Sequence, residues 1–179
     1  MAVTLGIRRK KMMNEKIWEK LCNAELKFYE YRMEFTQKIP HNDKVSIFKK
    51  GLHKTSQRGT TLRTLLISDD TIKRDLFFEL VDLASVSHSD IELCREVIKS
   101  INQRDWVISN IEHCVSNILC HATDEEYRRI AELYLELDKV LLKKHIHRAL
   151  RHQEMDVNEV GQDFQKYVGY IRQYEQNAA

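Results

Sequence analysis

Glu92 and Glu125 lie 33 residues apart, as do Glu96 and Arg129, and Lys99 and Glu132; Glu136 continues the last series by one helical turn. Charge repeating at that interval is what a modular face would carry. With Glu92, Glu96, Glu125, Glu132 and Glu136 outnumbering Arg129, the face would be negative, steering a basic partner toward it and repelling a phosphate backbone. Other chemistry has less support. Cys22, Cys94, Cys114 and Cys120 include no C-x-x-C pair, and three sit at apolar-periodic positions, so buried reduced thiols are expected in place of a disulfide frame or zinc knuckle. His145 and His147 are two apart, roughly 200° around a helix, and cannot share one metal. The cluster His113, Cys114, Cys120, His121 points several ways if a helix runs through it, and no metal site is assigned there. Asp105 and Trp106 pair an acid with an aromatic ring, but their place suits a helix cap and an apolar anchor. The chain has no phosphate-cradling glycine loop and no G-x-S-x-G elbow. The expectation is a non-enzyme with no cofactor.

The elements that must position these residues are helical. In 179 residues, 42% hydrophobic and 31% charged, five glycines and one proline give too little turn chemistry for a many-stranded sandwich or barrel. From Asn14 to Gln37, Ile17, Leu21, Ala24, Phe28, Tyr31 and Phe35 recur at steps of three and four, which predicts one long amphipathic helix closed by Pro40. Met12 and Met13 set residues 1–12 apart as a disordered or upstream-start segment, leaving 13–179 as a single domain.

Beyond Pro40 a repeat emerges. Asp90, Thr123 and Asp156 are capping-type residues at a step of 33, with capping boxes predicted for Ser89 with Glu92, Thr123 with Glu126 and Asp156 with Glu159. Apolar columns follow: Cys94, Tyr127, Val160; Ile98, Ala131, Phe164; Ile101, Tyr134, Tyr167. The column Val97, Ile130 ends in Asp163, giving the last copy a wetter face. A preceding helix in each copy carries Leu76, Ile111, Leu142; Leu80, Val115, Ile146; and Ala84, Leu119, Leu150. An earlier copy spans Asp43 to Ser68, with Phe48, Leu52, Leu62 and Leu65 as its apolar positions. This frame puts Ala131 in the core and Glu132 on a free face, so Glu132→Ala is expected to be nearly neutral.

From Val45 to Phe164 the chain resembles stacked helical hairpins of HEAT type, in particular an uncharacterised bacterial group of HEAT-like proteins. The resemblance rests on LFFELVDLASVSHSDIELCREVIKSI, DWVISNIEHCVSNIL, TDEEYRRIAELYLELD and RHQEMDVNEVGQDF. Asp90-Ile91 and Asp156-Val157 match the acidic, β-branched helix start of such repeats, whereas Thr123-Asp124-Glu125 departs from it. The resemblance implies an all-α, right-handed α-solenoid of about four hairpins behind the long N-terminal helix. Function follows from such a fold only by analogy.

Charge sharpens the functional expectation. Residues 1–63 hold 15 Lys/Arg against 6 Asp/Glu, 64–138 hold 7 against 16, and 139–179 hold 7 against 5, although the net charge is only +2. A small chain with an acidic middle suits a protein-interaction module for a basic protein, its sharpest form an immunity protein or antitoxin that neutralises a basic toxin such as a nuclease. A general scaffold is the blander form. The alternative is nucleic-acid binding, in the manner of HEAT-like DNA glycosylases, at a basic end near Lys49, Lys50, Lys54, Arg58 and Arg63. No run of 18 apolar residues occurs, and Arg8, Arg9, Lys10 and Lys11 are not followed by an apolar stretch, so a cytoplasmic protein away from membranes is expected.

Overall fold

The computed structural model describes the backbone of residues 2–177 and the side chains of 14–169. Among the described residues every regular element is an α-helix: α1 (Ala2–Lys38), α2 (His41–His53), α3 (Thr55–Leu65), α4 (Asp70–Asp75), α5 (Phe77–Ala84), α6 (Ile91–Lys99), α7 (Arg104–Ile118), α8 (Asp124–Leu137), α9 (Lys139–Leu150) and α10 (Met155–Asn177). The chain groups into two compact units, 1–44 and 45–179. The single domain expected from residue 13 onward therefore corresponds, as a packed body, to 45–179. The expectation for residues 1–12 concerns residues whose side chains lie outside the described set.

In the first unit, α1 stops before Pro40, whose ring removes a donor and biases Ile39 away from helical angles. The apolar stripe foreseen along α1 is present but not buried: Ile17, Leu21 and Tyr31 are 59%, 58% and 67% exposed. Arg32 lies over the rings of Phe28 and Tyr29 at 5.1 and 4.7 Å.

In the second unit α5 packs on α6, α7 on α8 and α9 on α10; α5 also meets α7, α3 meets α6 and α8 meets α10. α8 also packs on α9, so most apolar faces of these helices are covered by more than one neighbour. The columns foreseen at period 33 are buried at Cys94, Tyr127 and Val160 and at Ile98, Ala131 and Phe164. So are Leu76, Ile111 and Leu142, and Leu80, Val115 and Ile146. Two columns are incomplete. Leu119 and Leu150 are only half-buried beside buried Ala84. Tyr167 is 49% exposed because no following hairpin covers it among the described residues. Asp163 is exposed, as its break in the Val97, Ile130 column foretold.

The helix starts agree less well. Thr123 forms the capping box with Glu126. Asp90 is the residue before α6 but makes no side-chain cap bond, and Glu92 turns to Arg95 and does not close a box with Ser89. Asp156 lies inside the first turn of α10, so its proposed box with Glu159 is replaced by an earlier start. Asp138, not singled out in the sequence, caps α9 by accepting from the Val140 and Leu141 amides at 2.8 and 2.9 Å. Cys94 is buried and donates to the Leu80 carbonyl at 3.1 Å, and burial pushes its thiol pKa up to about 12. Cys114 is buried too, but Cys22 and Cys120 are exposed, so the expectation of buried thiols holds for only two of the four.

Two contacts fix the last hairpin. Gly161 faces the α9 backbone so closely that an added Cβ would lie 2.8 Å from the Leu150 nitrogen, whereas one at Gly169 would meet nothing within 4 Å. His145 stacks on Tyr127 at 5.3 Å, meets Tyr134 edge-on at 5.6 Å and bonds through Nε2 to the Tyr127 carbonyl at 2.8 Å. A carbonyl only accepts, so Nε2 carries the proton; the buried Nδ1 and the Tyr134 hydroxyl have no hydrogen-bond partner.

Both contacts are testable. Gly161→Ala should destabilise by about 1–3 kcal/mol through backbone overpacking, whereas Gly169→Ala should stabilise by up to about 1 kcal/mol through helix propensity. Thermal melts that move the same way for both would refute the close α9–α10 crossing. Burial, helped by nearby Arg148, lowers the His145 pKa to about 4, although the hydrogen bond to Tyr127 opposes this. The unfolded chain therefore takes up this proton near pH 6.5 and the folded chain only near 4, so stability is full above 6.5 and falls by about 3 kcal/mol as pH drops through that window. Chemical denaturation of wild type and His145→Phe at pH 7 and pH 4.5 should show the smaller loss in the variant; parallel losses would contradict a buried neutral imidazole.

Candidate functional site

All six residues of the expected binding face lie on α6 and α8. The structure brings them together, but as a clasp more than an open acidic surface. At its centre is Arg95, a residue the sequence argument passed over. Its side chain leaves the apolar side of α6 only 4% exposed. It donates to Glu132 on α8 at 2.6 Å and to Glu92 at 2.8 Å, and its Nη2 lies 3.4 Å from the Arg129 carbonyl. Burial pushes the Glu132 carboxyl up, but hydrogen bonds from Arg95 and Arg129 outweigh it and hold the group below its ordinary range.

The other members interlock around this pair. Arg129 reaches Glu132 at 2.8 Å and donates from Nε to the Ser87 hydroxyl at 2.9 Å. Glu125 accepts from the Ser87 amide at 2.9 Å, and the Ser87 hydrogen bonds depress its pKa. Lys99 pairs with Glu136. The ladder continues onto α10, where Arg128 meets Asp163 at 3.1 Å. Glu96 is exposed and has no ion-pair or hydrogen-bond partner among the described residues, and Glu92 keeps most of its side chain in solvent. Glu132 does not sit on a free face as expected, because it is the carboxylate that neutralises a buried guanidinium.

A signal for the clasp was available. Arg95 and Arg128 are themselves 33 residues apart, and each reaches an acid on the next even-numbered helix, 37 and 35 residues on. The columns had been chosen opposite the apolar stripe, so a cation at its edge escaped notice.

Among the described residues three depressions mark the unit, the smallest, of about 250 Å³, lying between α6, α7 and α8 beside Lys99 and Glu136. Another, of about 330 Å³, is lined by Arg128, Glu132, Leu135, Asp163, Phe164 and Tyr167, an apolar floor with carboxylates at the rim. The third, of about 610 Å³, is lined by Lys144, His147 and Arg148 of α9 and by Arg151, the C-cap residue of that helix. Trp106 is half-buried, edge-on to Phe77 at 5.0 Å with Arg74 over its ring at 5.4 Å, the anchoring role its position suggested. Asp105 lies in the first turn of α7 behind Gln103, the actual cap residue. His113, Cys120 and His121 are exposed while Cys114 is buried, and no three potential metal ligands converge among the described residues. No described helix is long and apolar enough to cross a membrane.

No family model, curated protein or solved structure matches the chain.

The clasp makes a definite claim about stability. Glu132→Ala should cost about 1–3 kcal/mol, because a buried guanidinium keeps only the outward-facing Glu92, whereas Glu96→Ala should stay within about 0.5 kcal/mol. Urea midpoints that coincide for the two variants would show that Arg95 does not depend on Glu132.

Proposed function

We propose that this protein is a non-enzymatic protein-interaction module, a right-handed solenoid of about four HEAT-like hairpins whose α6–α8–α10 face receives a basic protein. The observation that carries the reading is the ladder of ion pairs from α6 to α8 and from α8 to α10, which places charged side chains of successive hairpins on one surface. Outward from the clasp, Glu96 supplies a carboxylate not consumed by it, and Glu92, which accepts from Arg95, keeps most of its side chain in solvent. The adjoining depression suits a lysine or arginine of the partner, its alkyl stem on Phe164 and Tyr167 and its head among the rim carboxylates. The Arg128–Asp163 pair is partly exposed and so worth at most about 1 kcal/mol, which lets an incoming cation replace Arg128 there. A toxin whose own nucleic-acid groove is basic is the sharpest partner of this kind, with the chain acting as its cytoplasmic inhibitor.

A second reading draws on α9 and its C-cap, where Lys144, His147, Arg148 and Arg151 follow the i, i+3, i+4, i+7 pattern of one helix face and would suit a phosphate backbone. Affinity capture from the native host, followed by binding measurements at low and moderate salt, separates the two. A Glu96→Lys variant should retain the fold and bind the captured basic protein about tenfold more weakly, chiefly through slower association at low salt. Unchanged binding by that variant would reject the acidic face. Salt-sensitive binding of any duplex, lost on Lys144→Glu with Arg148→Glu, would favour the second reading.

A further inference from the structure

The long helix α1 carries apolar side chains that its own unit does not bury, and their spacing identifies a specific kind of cover. Ile17, Leu21, Ala24, Phe28, Tyr31 and Phe35 follow one another at steps of four, three, four, three and four. Alternating steps of four and three are those of the two seam positions of a heptad, and they run from Ile17 to Phe35. Ile17, Leu21, Ala24 and Tyr31 are exposed, so the first unit by itself leaves the seam uncovered.

We infer that α1 is a self-association element: two copies of the chain pair through this seam as an antiparallel coiled coil. Side-chain size selects that orientation. Running antiparallel with the midpoint near residue 26, Ala24 of each copy faces Phe28 of the other, Leu21 faces Tyr31 and Ile17 faces Phe35. Every layer then sets a smaller side chain against a larger one, as dense packing requires. A parallel pair would stack Phe28 on Phe28 and leave Ala24 opposite Ala24, alternating crowded and empty layers. On the flanks, Lys20 of one copy lies beside Glu34 of the other, twice over by symmetry, and Glu34 is exposed with only Lys38 of its own helix as partner, at 2.7 Å. In the parallel pair Lys20 would lie beside Glu25 and Lys27 beside Arg32, each twice over, so the flanking charges balance in either orientation. The antiparallel pair brings Lys27 and Glu25 each beside its own copy at the two-fold axis, one like-charge meeting on each side of the seam, both at solvated edges.

The test uses the full chain at micromolar concentration. Sedimentation equilibrium should give a dimer, and Phe28→Glu should convert it to a monomer without changing the main melting transition of residues 45–179. Leu26→Glu with Met33→Glu, on the outer face of α1, should leave the dimer intact. Lys20→Glu alone and Glu34→Lys alone should each weaken dimerisation, and the two together should restore it; a parallel pair would instead be rescued by Glu25→Lys. A monomeric wild type, with α1 either free or folded back on its own chain, overturns the inference. So does a dimer indifferent to Phe28→Glu, or one abolished by the outer-face variant.

Discussion

A guanidinium that is almost wholly out of water has to be met by carboxylates, and Arg95 imposes that demand on the centre of the second unit. Removing an arginine from water costs several kcal/mol, recovered only when its donors are directed at acceptors in good geometry. Glu132, Glu92 and the Arg129 carbonyl supply those acceptors, and two of the three belong to the neighbouring hairpin. The register of α6 against α8 is therefore set by hydrogen bonds as well as by apolar packing, which by itself tolerates sliding. A one-turn slip would leave Arg95 without Glu132 and Lys99 without Glu136 together.

The same demand decides how much charge is left for a partner. Counted along the sequence, residues 64–138 are strongly acidic. In the folded unit Arg95, Arg129 and Lys99 take up Glu132, Glu136 and part of Glu92, while Ser87 takes up Glu125. Among Glu92, Glu96, Glu125, Glu132 and Glu136, free capacity remains at Glu96 and the outer part of Glu92. An interaction surface there is smaller than the sequence count implies, but it is held on two helices whose relative position is locked, and rigid elements lose little freedom on binding.

The helices of the second unit bury their apolar faces against one another, and the last of them shows the consequence. The column Ile101, Tyr134, Tyr167 is buried twice and then half exposed. The column Val97, Ile130 gives way to Asp163, which takes part in the ion-pair ladder and not in the core. At the start of the chain the amphipathic stripe of α1 belongs to a separate unit and keeps its apolar side chains in solvent. Periodicity reports that a face is apolar; it does not report what covers it.

That distinction divides what each level determined. Helical class was legible in the scarcity of glycine and proline, and most buried positions of α5 to α10 were legible in apolar columns, because burial depends on local period and on volume, both written in residue type. Thr123 and Glu126 were legible as a capping box for the same reason, since both partners lie within four residues. Asp138 as a cap, the early start of α10 and the break at Leu76 between α4 and α5 were not, because backbone angles at helix ends answer to tertiary contacts. The six candidate site residues were correctly gathered on two helices, yet their roles were decided only in three dimensions. Glu132 and Glu96 are the same residue type on corresponding helices, and a carboxylate becomes structural or available according to whether a buried cation lies within about 3 Å, a distance set by where the fold places α6 and α8 and by nothing in either residue's own neighbourhood along the chain.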